Sequence, residues 1–292
     1  MVARLPGRPR PAEFLALTKP RIVALVEVTV AAGYYLGAVG GGSARLLGHV
    51  LLGSTLVAAG TNALNQVYEA DVDALMRRTR HRPIPSGRLS PRAAGAFAWG
   101  VSLAGVVYLL SFAGLIVTAL AAATLASYVF LYTPLKRRTS LSTLVGAVLG
   151  ALPVVGGWAA ARGRLDVGAA ILFALLFLWQ LPHFLALAWI YREDYASAGL
   201  KMAGGRDSAG RDTFLQATLY AAALLSVALL PVVAGMAGYL YALGAFALSG
   251  WMVWAAAAAA QHPSLPHARR LFRVSVAYLP GILTLMMANK LP

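Results

Sequence analysis

The feature that most constrains this chain is a series of long apolar runs that extends from residue 20 almost to the C-terminus. We count nine runs of about 17–25 residues, the length that a helix needs to cross the apolar core of a bilayer. Strands of a membrane barrel are shorter and alternate polar with apolar residues, so these runs predict helices. The predicted spans are residues 20–40, 46–66, 93–112, 114–132, 141–160, 167–190, 213–234, 237–259 and 272–289.

Composition agrees with a membrane location. The chain is 59% hydrophobic and 12% charged, whereas soluble proteins carry about 25% charged residues. We therefore expect an all-α membrane bundle that forms a single domain over residues 19–292, preceded by a basic segment at residues 1–18. That segment is not typical of a cleavable signal peptide, because the apolar run after it is too long and reaches glycines rather than a cleavage site. The chain has no cysteine, which excludes disulfides and thiolate metal sites.

The basic residues predict a topology. Of the 25 lysines and arginines, 21 lie in the N-terminal segment or in the connections after the second, fourth, sixth and eighth spans. The other four are Arg45, Arg162, Arg164 and Lys290. The positive-inside rule therefore predicts a cytoplasmic N-terminus and an outside C-terminus. Because topology accounts for the net charge of +15, a nucleic-acid partner is not expected.

The acidic residues are also asymmetric, and topology does not require this. Eight of the ten lie on the predicted cytoplasmic side. Two clusters stand out, Glu69–Asp73 after the second span and Glu193–Asp194 after the sixth. The order of span, acidic cluster, basic connection and span thus occurs twice, which suggests an internal repeat of four helices.

The first acidic cluster has a spacing that favours metal binding. Asn65, Glu69 and Asp73 follow each other at intervals of four residues, so on a helix they share one face, whereas Asp71 points elsewhere. An amide and two carboxylate oxygens suit a hard cation such as Mg²⁺. The alternative is a solvated helix end that pairs with the arginines that follow it.

Those arginines belong to a dense basic connection, Arg77–Arg92. Acids beside arginines fit a metal-bound diphosphate, because the cation bridges carboxylate to phosphate and the guanidinium groups hold the remaining oxygens. The alternative is that the arginines only set the topology. Tyr132 and Lys136 are also four residues apart, although Pro134 lies between them. Lys136 is either a phosphate-binding group or one more cytoplasmic charge.

His183 and Glu27 are ionisable residues inside predicted spans, which makes both functional candidates. His183 lies eleven residues before Asp194, about three helical turns or ~16 Å along a regular helix axis, although Pro182 could interrupt that helix. The alternative for His183 is a structural histidine that packs between helices and bonds a carbonyl. Glu27 has no assigned role.

Taken together, these blocks resemble the UbiA-type intramembrane prenyltransferases, and within that family the subgroup that farnesylates heme. The family has nine transmembrane helices and acidic motifs after the second and sixth. The resemblance places the first motif on Asn65, Glu69 and Asp73 and the second on Asp194. Ala198 stands where many members carry another Asp. The similar segments are Thr18–Arg21, Asn65–Pro83, Tyr132–Thr139, Val145–Ala147, Trp179–Phe184 and Arg192–Gly199.

The resemblance implies transfer of a farnesyl group from farnesyl diphosphate to a vinyl group of heme b, with Mg²⁺ as cofactor, in the cytoplasmic membrane. It further implies contact with proteins of heme A biosynthesis or oxidase assembly. A quinone-ring precursor is the alternative acceptor, and a transporter of an anionic solute is the alternative class. Acids at one rim rather than at the midplane disfavour a transporter. The implied catalytic and metal-binding residues are Asn65, Glu69, Asp73 and Asp194. The implied substrate-binding residues are Arg78, Arg82, Tyr132, Lys136 and His183.

Overall fold

The structure is a computed structural model that describes residues 10–203, 207 and 209–291. Within these residues the regular structure is helical, and the one β-type contact is an isolated bridge between Ala237 and Lys290. The α-helices are α1 (Pro11–Thr18), α2 (Pro20–Gly37), α3 (Ala44–Tyr68), α4 (Ala70–Leu75), α5 (Pro91–Phe112), α6 (Leu115–Ala126), α7 (Thr133–Leu135), α8 (Ser142–Arg162), α9 (Val167–Ile190), α10 (Arg192–Ser197), α11 (Arg211–Val233), α12 (Tyr239–Gln261) and α13 (Leu265–Ala288). A π-helical turn, Ser127–Tyr132, joins α6 to α7.

Eight helices among the described residues are long and apolar enough to cross a membrane. They correspond to the second to ninth predicted spans, and α6, the π-turn and α7 together form one of them, Leu115–Leu135. The first predicted span folds as α2, which has 18 residues and carries Arg21 and Glu27. It is not among the eight, so its passage through the membrane stays a prediction. The coarser prediction, an all-helical multi-pass membrane protein, is confirmed.

The helices pack around two apolar clusters. One joins α8 and α9 to α11, α12 and α13, and the other joins α1, α3 and α5 to α6. The pair of α2 and α8 contributes to both clusters. Many large apolar side chains on the long helices remain exposed, among them Leu103, Val107 and Leu243. Exposed leucines and valines all along membrane-length helices indicate a surface that faces lipid rather than water.

The two ends of α2 mark the two ends of the bundle. At its start, the Lys19 amine bonds the Asn65 side chain at the end of α3. At its other end, the Lys290 amine donates hydrogen bonds to the carbonyl oxygens of Tyr35 (2.7 Å) and Ala38 (2.5 Å). The acidic clusters and the long basic connection lie at the Lys19 end. We call this end the polar rim.

Candidate active site

The first acidic cluster forms where α3 gives way to α4. Glu69 leaves regular helix geometry (φ −105°, ψ 13°), yet its N–H bonds the Asn65 carbonyl at 2.9 Å and its carbonyl accepts from the Asp73 N–H at 2.7 Å. Because the four-residue ladder continues, Asn65, Glu69 and Asp73 stay on one side, and all three are buried. The Asp71 side chain, by contrast, is 65% exposed. The shared face predicted from the spacing is therefore present.

Each member of this face has a basic partner from another part of the chain. The Lys136 amine bonds the Glu69 carboxylate at 2.8 Å, and the Arg82 guanidinium bonds the Asp73 carboxylate at 2.6 Å. The Lys19 amine donates to the Asn65 side-chain oxygen at 3.3 Å. Buried carboxylates need such partners, because an unpaired charge away from water is costly. The site thus joins the α1–α2 junction, the end of α3, the basic connection and the end of α7.

Lys19 is a site residue that the sequence analysis did not identify. Among the described residues it is the one residue other than glycine with a positive φ (51°), a conformation disfavoured for residues with a Cβ. Its amine lies among charges, and burial lowers the pKa of Lys19 to about 7, with the Arg82 and Lys136 cations acting in the same direction. A strained backbone that directs a lysine into a buried site is typical of functional positions.

Tyr132 and Lys136 meet as their spacing predicts. The Lys136 N–H bonds the Tyr132 carbonyl at 3.2 Å, so the helical turn persists in spite of Pro134. The Lys136 amine lies 4.4 Å from the centre of the Tyr132 ring, within the range of a cation–π contact. Gly146 of α8 leaves room for that ring, since a Cβ there would lie 2.8 Å from it. Tyr132 and Glu69 together hold the lysine in the site.

Arg78, from the basic connection, contacts the second half of the bundle. Its guanidinium covers the Tyr191 ring at 5.1 Å, between α9 and α10. The Thr79 hydroxyl bonds the Asp73 carbonyl at 2.9 Å, which fixes the start of the basic connection against α4. Arg137, next to Lys136, forms a two-pronged pair with the exposed Asp71 and lowers the pKa of that carboxyl. The basic connection is therefore anchored to both acidic segments.

The structure does not group Asp194 with the first acidic cluster. Within the described residues, no three histidine or acidic side chains come together in a way that could hold a metal ion. Asp194 lies on α10, half-buried, with no side-chain hydrogen bond or ion pair recorded between it and the rest of the described chain. The structure brings Asn65, Glu69 and Asp73 together and leaves Asp194 apart from them, and the roles of all four as metal ligands stay predictions.

His183 lies away from the rim, between α9 and α13. The helix continues through Pro182, so the proline does not end it. The His183 ring nitrogen Nδ1 and the Ser275 hydroxyl are 2.9 Å apart, and the ring packs against Trp179 and Phe272. This environment is close to that of a structural histidine, the alternative given above, with a hydroxyl as the bonding partner in place of a carbonyl.

Glu27, the other ionisable residue inside a predicted span, accepts a hydrogen bond of 2.6 Å from the Ser54 hydroxyl of α3.

The first acidic cluster has the donor chemistry for a divalent cation. A carboxylate accepts up to about four hydrogen bonds or ligands, so Glu69 and Asp73 keep free oxygen positions beside their basic partners. The Asn65 Nδ2 atom is buried without a hydrogen-bond partner among the described residues. As a donor, it suits a phosphate oxygen rather than a cation. The residues present therefore fit a Mg²⁺ ion that is itself bound to an oxyanion.

A bundle of membrane-length helices with a buried site of mixed charge at one end defines a class: a multi-pass membrane protein that handles an anionic substrate at the edge of its apolar interior. Family comparison refines this. The chain belongs to the UbiA prenyltransferase family, whose model matches residues 26–279.

Individual relatives agree with that assignment. Over 288 residues the chain is 44% identical to a protoheme IX farnesyltransferase of Solibacter usitatus, covering 95% of this chain and 98% of that protein. It is 38% identical over 277 residues to a protoheme IX farnesyltransferase of Salinibacter ruber, with the same coverage of 95% and 98%.

Solved structures share the fold. A structure of digeranylgeranylglyceryl phosphate synthase is similar with a TM-score of 0.81 at 16% identity, covering 95% of this chain and 97% of that one. A UbiA homologue from Archaeoglobus fulgidus bound to GPP and Mg²⁺ is similar with a TM-score of 0.64 at 14% identity, covering 94% and 99%.

Proposed function

We infer that this chain transfers the farnesyl group of farnesyl diphosphate to a vinyl group of heme b, forming heme O and diphosphate. The observation that carries this inference is the 44% identity to a protoheme IX farnesyltransferase over 95% of the chain. The polar rim supports it, because it joins acidic and basic groups in the way that a diphosphate requires. An enzyme of this family is a prenyltransferase, so the transporter alternative is no longer needed.

The basic side chains bind the diphosphate. Arg82 and Lys136 balance the two carboxylates at the site, and Lys19, when it is protonated, gives these five residues one excess positive charge that attracts an anion. Arg78 adds a further guanidinium from the basic connection. As the bond between the farnesyl C1 carbon and the diphosphate oxygen breaks, negative charge grows on the leaving group. Fixed positive groups and the Asn65 amide lower the energy of that charge.

Asn65, Glu69 and Asp73 would hold Mg²⁺. When bound, the ion supplies electrostatic stabilisation of the diphosphate. The structure of the Archaeoglobus homologue contains Mg²⁺ with a prenyl diphosphate, which supports the same requirement here. Burial of Glu69 and Asp73 keeps these oxygens away from bulk water, where their attraction for a cation would be weaker.

The acceptor step forms a carbon–carbon bond. The terminal vinyl carbon of heme b attacks C1, which has allylic cation character, and the positive charge moves to the carbon next to the porphyrin ring. Water adds there, loses a proton and leaves the hydroxyl of heme O. Both substrates have large apolar parts, which suits a site at the end of a membrane bundle. Exclusion of other water protects the farnesyl cation from hydrolysis.

We further propose nine membrane spans, with α2 as the first, a cytoplasmic N-terminus and polar rim, and an outside C-terminus. The distribution of 21 basic residues on one side and four on the other supports this orientation. Farnesyl diphosphate and heme b would then meet at the cytoplasmic face of the cytoplasmic membrane. Proteins of heme A biosynthesis or oxidase assembly, which would use the product, are proposed contacts.

Mass spectrometry of hemes tests the function. Membranes that contain the chain are incubated with heme b, Mg²⁺ and farnesyl diphosphate. We expect one vinyl group of heme b to become a hydroxyethylfarnesyl group, a gain of one farnesyl group and one hydroxyl, and no such product with the Asp73→Asn variant. If heme is unchanged while a phenolic quinone precursor becomes prenylated, the alternative acceptor is correct. If neither changes while diphosphate is released, the protein hydrolyses its donor and our inference is wrong.

A further inference from the structure

The two acidic clusters share one backbone arrangement. In each case a long helix ends, a single residue departs from helix geometry, and a helix of six residues follows. In the first half these parts are α3, Glu69 and α4, and in the second half they are α9, Tyr191 and α10. The dihedral angles agree closely, with φ −105° and ψ 13° at Glu69 and φ −104° and ψ 20° at Tyr191.

The hydrogen bonds through the two junctions also correspond. The Tyr191 N–H bonds the Leu187 carbonyl at 3.1 Å, as Glu69 bonds Asn65. The Tyr195 N–H bonds the Tyr191 carbonyl at 3.0 Å, as Asp73 bonds Glu69. Position 191 therefore matches position 69, and position 195 matches position 73. The backbone therefore contains the repeat that the sequence suggested. At the matching positions the first half has the carboxylates Glu69 and Asp73, and the second half has the tyrosines Tyr191 and Tyr195.

The same correspondence places the second-half acids off the inner face. Glu193 matches Asp71, and both side chains are exposed, at 88% and 65%. Asp194 matches Val72, one residue before Asp73. One residue is a rotation of about 100° around a helix, so Asp194 does not take the direction that Asp73 takes. This explains why Asp194 does not join Glu69 and Asp73.

Tyr195 does lie among site residues. It is half-buried and lies one helical turn after Tyr191, whose ring contacts the Arg78 guanidinium. A tyrosine hydroxyl is neutral near pH 7, so it can donate a hydrogen bond. The connection after α10 is tied to the site as well, since the Lys201 N–H bonds the Lys136 carbonyl at 2.8 Å.

We propose that the Tyr195 hydroxyl donates a hydrogen bond to the diphosphate of the prenyl donor, at the place where the repeat would put a carboxylate, and that the Tyr191 ring positions Arg78 for the same ligand. This rests on the proposed function only in taking a prenyl diphosphate as the donor. A carboxylate can bind phosphate only through a cation, whereas a hydroxyl bonds phosphate oxygen directly. The second half of the site therefore binds diphosphate without a metal ion of its own.

Binding of the unreactive analogue farnesyl S-thiolodiphosphate tests the proposal on the full chain in nanodiscs. Tyr195→Phe removes one hydroxyl, and we expect affinity to fall at least tenfold, the range for a hydrogen bond to a charged group. Glu193→Gln, at a side chain that is 88% exposed on the same short helix, should bind within threefold of wild type. Tyr239→Phe makes the same chemical change at a residue that is 85% exposed, and it should have no effect.

A second variant tests whether position 195 faces the diphosphate, and it remains informative if the Tyr195→Phe protein folds poorly. Tyr195→Asp recreates the carboxylate of the first half, so its binding of the analogue should need a higher Mg²⁺ concentration than wild type. The proposal is overturned if Tyr195→Phe binds normally, if Glu193→Gln loses as much affinity as Tyr195→Phe, or if the Mg²⁺ dependence of Tyr195→Asp is unchanged. Because these are binding measurements, they stand whether or not heme b proves to be the acceptor.

Discussion

Single residues at the polar rim differ in how their charge is neutralised. Glu69 and Asp73 are buried and paired with Lys136 and Arg82, whereas Asp71 is largely exposed and paired with Arg137. Exposed pairs contribute about 0–1 kcal/mol. Removal of one partner of a buried pair leaves an uncompensated charge. The same chemical substitution should therefore have different consequences at these three positions.

We predict that Asp73→Asn and Glu69→Gln each lower kcat at least about 100-fold, because each removes a charge on which the metal and the basic side chains depend. Asp71→Asn should stay within a few-fold of wild type. The amide replacements keep the shape of the side chain and limit any loss of folding. Heme O formation by purified variants checks this, with thermal melting to confirm folding. Equal losses at all three positions would contradict the single-face arrangement.

Lys19 combines an unfavourable backbone with a buried amine, and two substitutions separate these effects. Lys19→Met and Lys19→Gly both remove the amine, so both should weaken binding of the thiolodiphosphate analogue to a similar extent. Glycine adopts positive φ without the Cβ penalty, which is about 1 kcal/mol or more. Lys19→Gly should therefore melt at a higher temperature than Lys19→Met. A lower melting temperature for the glycine variant would mean that position 19 is not left-handed.

The residues of the site were predictable from sequence to different degrees. The face of Asn65, Glu69 and Asp73 follows from helix periodicity alone, because all three are close in the chain. The bond from Lys19 to Asn65 joins residues 46 positions apart, and no local pattern indicates it. Asp194 was predicted from the resemblance to the second family motif, and the sequence does not show the irregular backbone at Tyr191 that affects which side chains of α10 face inward.

At the scale of helices, α2 and α8 pack closely because glycines lie where the two helices cross. A Cβ on Gly33 of α2 would lie 2.0 Å from the Val154 carbonyl oxygen of α8. A Cβ on Gly157 of α8 would lie 2.0 Å from the Val30 carbonyl oxygen of α2. Small residues at such crossings let two membrane helices pack backbone to backbone.

We predict that Gly33→Ala and Gly157→Ala each destabilise the protein by roughly 1–3 kcal/mol, the usual effect of overpacking. Gly156→Ala is the matched control, since a Cβ there meets nothing within 4 Å, and alanine has the higher helix propensity. Thermal melting in detergent compares the three variants. If Gly156→Ala is as harmful as Gly157→Ala, the helices do not cross at these glycines.

The contact of α9 with α13 allows a test of His183. We predict that His183 contacts heme, so that His183→Ala weakens heme binding and shifts the heme absorption band, while binding of the farnesyl analogue is nearly unchanged. Ser275→Ala is the control, because it removes the hydrogen-bond partner of His183 but leaves the imidazole in place. An unchanged heme spectrum in His183→Ala, with equal loss of stability in both variants, would make His183 a structural residue.

Sequence periodicity and length were sufficient for the long helices, because each coincides with an apolar run of about the length that crosses a membrane. The prolines were misleading, since α9 continues through Pro182 and the turn from Tyr132 to Lys136 continues through Pro134. Helix α1 and the breaks at Glu69 and Tyr191, which separate α4 and α10 from the long helices, were not predicted. These helices are too short for a periodic signal, and packing rather than local propensity accounts for them.

The whole molecule is asymmetric along the axis of the bundle. The polar rim gathers both acidic clusters and the basic connection, while the opposite end carries Lys290, Arg162 and the Arg164–Asp166 pair. In a membrane the two ends face different compartments. If the positive-inside rule applies, substrates that carry diphosphate or propionate groups are bound from the cytoplasm, and the apolar interior receives only the prenyl chain and part of the porphyrin.

The orientation can be measured directly, because the native chain has no cysteine. We predict that a cysteine introduced at the exposed Ser86, on the basic connection, resists a membrane-impermeant maleimide in intact cells and reacts once the membrane is opened. A cysteine at Arg164, whose side chain is 71% exposed at the other end, should react in intact cells. Both variants keep the site residues and should retain prenyltransferase activity, so that labelling reports on a folded protein. Labelling of position 86 from outside, with position 164 protected, would reverse the topology. The diphosphate site would then face away from the cytoplasm, although the cytoplasm is the compartment expected to supply farnesyl diphosphate.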